Sequence, residues 1–172
     1  APLFEQICAG LSYAHDRGIV HRDIKPSNII LVAGTKPGTE GSVKILDFGI
    51  AKGDESTISG ESSFVKTQTG ALMGTPRYMS PEQCRGGGHT DAKSDVYSLG
   101  VIFYELLAGA PPFAGSSHGE LIVQHMMNPP PPLAEKVDAG TPDALVALVM
   151  RMLAKDKDAR PTMRQVVGEL DR

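Results

Sequence analysis

The chain has 172 residues, 41% hydrophobic and 22% charged, which is the usage of an ordinary globular domain and not of a disordered or membrane-embedded one. Its net charge of −3, from 17 Lys and Arg against 20 Asp and Glu, gives no basic footprint for nucleic acid. Cys8 and Cys84 lack C-x-x-C spacing and no apolar run nears the ~18 residues of a membrane span, so the expectation is one domain without metal knuckle, disulfide framework or membrane segment, in a reducing cytoplasmic setting.

Ala1-Pro2 enters a helix without a preceding methionine, which suggests a piece of a longer chain. Leu3, Ile7, Leu11 and Ala14 form one apolar stripe, predicting a helix from about Pro2 to Arg17 that Gly18 stops. A polar stretch from His21 to Asn28 precedes the apolar run Ile29–Val32; a Gly/Pro/Thr loop (Ala33–Ser42) and the strand-like Val43–Leu46 complete a hairpin. From Asp47 to Glu82 no helical or strand period survives, and a loop that long inside a domain is usually functional.

The second half reads as helical. Ser94 is placed as the cap of a helix running from about Asp95 to Ala108, closed by Gly109. Val96, Leu99, Val101, Ile102, Phe103, Leu106 and Leu107 cover most of its circumference, so it should be a buried central helix. A shorter helix is expected from about Ser117 to Met127, then a stiff connector at Pro129–Pro132. Thr141 should cap a helix to about Ala154, and Thr162 the last one.

Chemistry concentrates in two places. His21-Arg22-Asp23-Ile24-Lys25-Pro26-Ser27-Asn28 fits H-R-D-L-x-x-x-N with Ile for Leu, and Asp47-Phe48-Gly49 follows at the end of a strand. Gly74-Thr75-Pro76-Arg77-Tyr78 and Ser80-Pro81-Glu82 come next. Any one triplet is weak; four signals in this order on fitting elements are specific. The chain resembles the C-terminal lobe of a protein Ser/Thr kinase, most like the eukaryotic-type kinases of bacteria. The resemblance implies a mainly α (α+β) fold, a kinase-like C-terminal lobe with a small β-hairpin at the catalytic loop. It covers residues 1–172, with the catalytic loop at 21–28 and the activation segment at 47–82.

The resemblance also implies ATP and Mg²⁺, with Mn²⁺ as a substitute, and transfer to Ser/Thr hydroxyls of protein substrates. Phosphoryl transfer is mostly positioning and charge neutralisation. Asp23 would orient the substrate hydroxyl, Lys25 would reach the γ-phosphate, and Asn28 and Asp47 would offer oxygen to the metal. By the same resemblance Ser27 lies at the nucleotide, Ile30 forms the floor under the adenine, and residues 74–78 dock the substrate. His21 and Phe48 join a hydrophobic stack, Asp95 ties the catalytic loop through backbone N–H groups, and Glu82 pairs with Arg160. Thr67-Gln68-Thr69 matches a Thr-x-Thr pair autophosphorylated between molecules in a kinase–kinase dimer, and Arg22 suits capture of the resulting phosphate. His15, His89, His118 and His125 have no partner at metal-ligand spacing and read as surface or packing residues.

The sequence departs from the pattern at Ser80, where Ala is usual, and at Tyr97, where Trp is common. It also contains no G-x-G-x-x-G loop and no V-A-I-K lysine, so the N-terminal lobe is expected to be absent from this chain, leaving the chain alone inactive. The alternatives are a noncatalytic, pseudokinase-like docking module and a small-molecule phosphotransferase. The intact Asp23, Lys25, Asn28 and Asp47 argue against the first, and the 74–82 segment against the second.

Overall fold

The computed structural model describes residues 2–34, 41–48, 76–86 and 90–171. Among them are six α-helices and one two-stranded antiparallel sheet, the mainly α architecture with a small hairpin expected from the sequence. The helices are α1 (Pro2–His15), α2 (Pro81–Cys84), α3 (Ala92–Ala108), α4 (His118–Met127), α5 (Asp143–Met152) and α6 (Met163–Leu170). The strands β1 (Ile29–Val32) and β2 (Ser42–Ile45) pair in the register Ile29 to Ile45 and Val32 to Ser42. No helix among the described residues is long and apolar enough to cross a membrane.

The core forms around α3, which is buried at every residue from Ser94 to Tyr104. Ile7, Cys8 and Leu11 of α1 join it from one side, and Leu148, Val149 and Met152 of α5 with Met163 and Val166 of α6 from below. Each such side chain removed from water contributes about 1.5–3 kcal/mol. Gly100 permits the close crossing of α3 and α5, since a Cβ there would lie 2.9 Å from that of Met152. Lys155 seals the C-terminal end of α4, donating to the carbonyls of His125 (2.7 Å) and Gln124 (3.2 Å).

Several boundaries differ from the sequence reading. The cap of α3 is Asp91, whose side chain accepts from Lys93 N–H, so the helix starts at Ala92 and Ser94 lies within its first turn. The Ser94 hydroxyl is taken instead by Glu82 Oε1 at 2.5 Å. At α5 the cap position is Pro142 and not Thr141, without a side-chain bond, and the helix ends at Met152. Helix α1 stops at His15, two residues early, with Gly18 in the left-handed region (φ 73°) just beyond. Ser117 caps α4 and Thr162 caps α6, the latter through a capping box with Gln165. Within the segment read as aperiodic stand a 3₁₀ turn at Pro76–Tyr78 and α2, which Ser80 starts with its own capping box to Gln83.

Candidate active site

The stretch 21–28 has almost no regular structure of its own, so its shape is imposed from α3. Asp95, 1% exposed in the first turn of that helix, accepts the backbone N–H of His21 through Oδ2 and of Arg22 through Oδ1, both at 2.8 Å. A carboxylate this buried is tolerable because it is fully hydrogen-bonded. Arg22 lies in the left-handed region at φ 64°, a conformation that a residue with a Cβ holds only when its surroundings fix it. A second restraint comes from α2, where Gln83 Nε2 donates to Arg22 O at 2.7 Å.

The buried imidazole of His21 accepts the Asp23 N–H at Nδ1 (3.2 Å), so its other nitrogen carries the proton and donates to Leu46 O (2.7 Å). Both nitrogens are committed to backbone, which leaves the ring no part in proton transfer. Its face meets Phe48 at 4.8 Å between centroids.

Asp23, Lys25 and Asn28 come together at the loop's open side. Lys25 Nζ donates to Asp23 Oδ2 at 2.8 Å. Asn28 Nδ2 donates to Asp23 O at 2.8 Å and to Oδ2 at 3.4 Å. The two contacts to the carboxylate, from Lys25 and Asn28, both fall on Oδ2; Asp23 Oδ1 accepts no hydrogen bond among the described residues, and the side chain is 41% exposed. With its Nδ2 turned to Asp23, Asn28 has a side-chain Oδ1 that accepts no hydrogen bond among the described residues. The 3₁₀ turn Pro26–Asn28 that buries Asn28 exposes Ser27. Ile30, on β1, is 42% exposed, an apolar surface beside the loop.

Asp47 arrives from the hairpin. Leu46 does not extend the ladder into a fifth strand residue: its N–H goes to Asn28 O (2.8 Å) and its carbonyl to His21. Asp47 then turns into the left-handed region at φ 54° and its exposed carboxylate meets no hydrogen-bonding or charged partner among the described residues. The Asp47 carboxylate and the Asn28 side-chain amide oxygen, neither with a partner among the described residues, are hard oxygen donors on two segments tied together by the Leu46 N–H to Asn28 O bond. No group of three or more His, Cys, Asp or Glu side chains placed to hold a metal ion exists among the described residues.

Of the segment read as docking substrate, Pro76, Arg77 and Tyr78 form the turn described above. Tyr78 donates its hydroxyl to Glu105 Oε2 at 2.7 Å, and burial together with Glu105 pushes the phenol up to about 12. Arg77 pairs with the same carboxylate at 3.7 Å. Glu82 and Arg160 meet in a two-point ion pair, 2.8 Å and 2.9 Å, beneath this turn. Gly49, Thr67, Thr69, Gly74, Thr75 and His89 lie outside the described residues.

Four residues in this network escaped the sequence reading. His15 bonds Asp95 Oδ2 at 2.8 Å through Nε2, and so supports the carboxylate that shapes the loop. Gln83, Glu105 and Gln6 act on backbone or on partners 27 to 61 positions away. Their only sequence signal is a polar residue at the border of an apolar stripe, which most helices share.

The family model of the protein kinase domain matches residues 1–169. The chain is 44% identical over 153 residues to the serine/threonine-protein kinase PknB of Mycolicibacterium smegmatis, covering 89% of this chain and 22% of that protein. It is 42% identical over 153 residues to PknB of Mycobacterium leprae, with the same two coverages. To the serine/threonine-protein kinase Pkn1 of Myxococcus xanthus it is 42% identical over 158 residues, 92% of this chain and 21% of that one. The chain thus spans about a fifth of the length of these curated relatives. With the 21–28 loop seated on α3 and the family match running nearly end to end, this chain belongs to the protein kinase domain family.

Proposed function

We propose that these residues form the catalytic loop, metal-binding oxygens and substrate-docking turn of a kinase that moves the γ-phosphoryl group of ATP onto Ser or Thr hydroxyls of proteins. The observation that supports this is the Asp23–Lys25–Asn28 cluster: one carboxylate oxygen takes Lys25 and Asn28, and the other accepts no hydrogen bond among the described residues. The open Oδ1 is free to accept the hydrogen of a substrate hydroxyl, aim its oxygen at the phosphorus, and take the proton as the new P–O bond forms and the bond to ADP breaks. Lys25, fixed against Asp23, supplies a compact positive charge for the transferring group. When bound, Mg²⁺ neutralises phosphate charge, and Asn28 and Asp47 are the residues that would hold it.

Ser27 and Ile30 border the nucleotide in this reading, and Pro76–Tyr78 receives the protein substrate. Thr67 and Thr69 are its phosphorylation switch, written by a second copy of the kinase. Asp23→Asn, in a kinase carrying these residues together with a nucleotide-binding lobe, should cut kcat by roughly 10²–10⁴-fold while ATP affinity stays within about twofold. Isothermal titration with a nonhydrolysable ATP analogue separates the two. An equal loss of nucleotide binding would remove Asp23 from the role of hydroxyl acceptor.

A further inference from the structure

The hairpin that delivers Asp47 has an outer edge that pairs with no strand among the described residues. Strand edges left open are normally covered or blunted. Here one side chain covers it. Gln6, on α1, accepts the Val43 N–H at its Oε1 (2.9 Å) and donates from its Nε2 to Gly41 O (3.2 Å). Those two backbone groups flank Ser42 on the same edge of β2, so the carboxamide supplies the donor and acceptor that the N–H and C=O of one residue in a parallel neighbouring strand would. The approach is close on both sides. Gly41 has no room for a Cβ, which would fall 2.9 Å from Val32 O, and a Cβ on Gly10, one turn along α1 from Gln6, would meet Ile45 Cδ1 at 3.4 Å.

This edge leads directly to the metal-binding end of the hairpin. From Val43 the strand runs three residues to Leu46, whose N–H and carbonyl are both bound by the catalytic loop, and the next residue is Asp47 at φ 54°. A strand free to slip by one residue would turn every side chain to the other face and carry the Leu46 bonds out of place. We propose that Gln6 is a positioning residue for the metal carboxylate: its amide, acting as a one-residue third strand, fixes the register of β2 on α1 and thereby the place of Asp47 beside Asn28. The inference rests on the kinase reading above. Groups that orient a metal ligand typically govern metal affinity or activity by about 10–100-fold.

The test compares wild type, Gln6→Met, Gln6→Glu and Asp47→Asn. Met keeps the helix and the volume but loses both bonds; Glu keeps the acceptor for Val43 N–H and loses the donor to Gly41. In the 172-residue chain, amide hydrogen exchange at Val43 should quicken at least tenfold in Gln6→Met relative to the α3 core amides, and far less in Gln6→Glu. In a kinase carrying these residues and a nucleotide-binding lobe, Gln6→Met should raise the Mg²⁺ concentration for half-maximal rate about tenfold or more, with the KM for peptide within about twofold and Gln6→Glu between the two. If Gln6→Met only lowers the melting temperature and leaves Mg²⁺ dependence and Val43 exchange unchanged, the inference is overturned. Should Gln6→Met fail to fold, Gln6→Glu decides: wild-type Mg²⁺ dependence in that variant overturns it equally. Asp47→Asn separates the levels, because full activity in that variant would sink the kinase reading itself and not merely the role of Gln6.

Discussion

Replacing Arg160 by alanine should destabilise the chain by about 3–5 kcal/mol, the usual cost of leaving one partner of a buried ion pair uncompensated. The guanidinium has five N–H donors, and its side chain is 0% exposed. Nε donates to Ala154 O (2.7 Å), NH1 to Glu82 Oε1 (2.8 Å) and Lys93 O (2.9 Å), and NH2 to Glu82 Oε2 (2.9 Å) and Lys155 O (3.2 Å). Truncation therefore leaves the Glu82 carboxylate without its countercharge, holding the Ser94 hydroxyl, and takes a donor from three carbonyls at once. The pair's electrostatics give a similar magnitude. Burial alone would raise the Glu82 carboxyl, but hydrogen bonds from Arg160 and Ser94 and the charge of Arg160 outweigh it and bring the group from 4.5 down to about 2. At about 1.36 kcal/mol per pH unit that is on the order of 3 kcal/mol. Because the folded-state value lies below the unfolded one, this contribution is present above about pH 4.5 and is lost as pH falls toward 2. For a chain of this size the expected loss in Tm is about 6–20 °C at neutral pH, read by circular dichroism. Glu82→Gln should flatten the acid limb of the same stability curve. Arg164→Ala is the internal control, since its pair with Asp16 is 76% and 46% exposed and should be worth about 0–1 kcal/mol. A Tm change for Arg160→Ala no larger than that of Arg164→Ala would refute the reasoning.

Two further perturbations address the loop and its regulation. His15→Phe removes the side-chain bond to Asp95 Oδ2 and should cost about 1–3 kcal/mol, whereas His15→Gln, which can still donate there, should recover most of the loss in a thermal melt; a Phe variant that melts like wild type would make the contact incidental. Thr67→Ala with Thr69→Ala, in a kinase carrying these residues, should lower the rate after ATP preincubation on the order of tenfold or more, and an undiminished rate in the double variant would remove the phosphorylation switch.

The parts of this molecule that could be read from the sequence are those whose physics is local. Asp23, Lys25 and Asn28 lie within one short loop, so their spacing alone brought them together, and α3 announced itself by apolar residues on all sides. Ser94 misled because a serine ahead of an apolar run is locally indistinguishable from a cap. What decided its role was Glu82 Oε1, twelve positions away, competing for the hydroxyl while Asp91 took the N-terminus. His15 and Asp95 are separated by 80 positions, and a lone buried carboxylate leaves no spacing pattern by which its partner can be found.

The neutral clamps were hidden for the same reason, yet their chemistry explains their choice. A carboxamide offers a donor and an acceptor together, so Gln6 can bind two backbone groups of a strand edge, and Gln83 can accept from Ser80 N–H while donating to Arg22 O. A lysine or glutamate in either place would satisfy only one of the two. The backbone that leads to Asp23 and Asp47 is thus held by the Asp95 carboxylate, which accepts the His21 and Arg22 N–H groups, together with the carboxamides of Gln83 and Gln6.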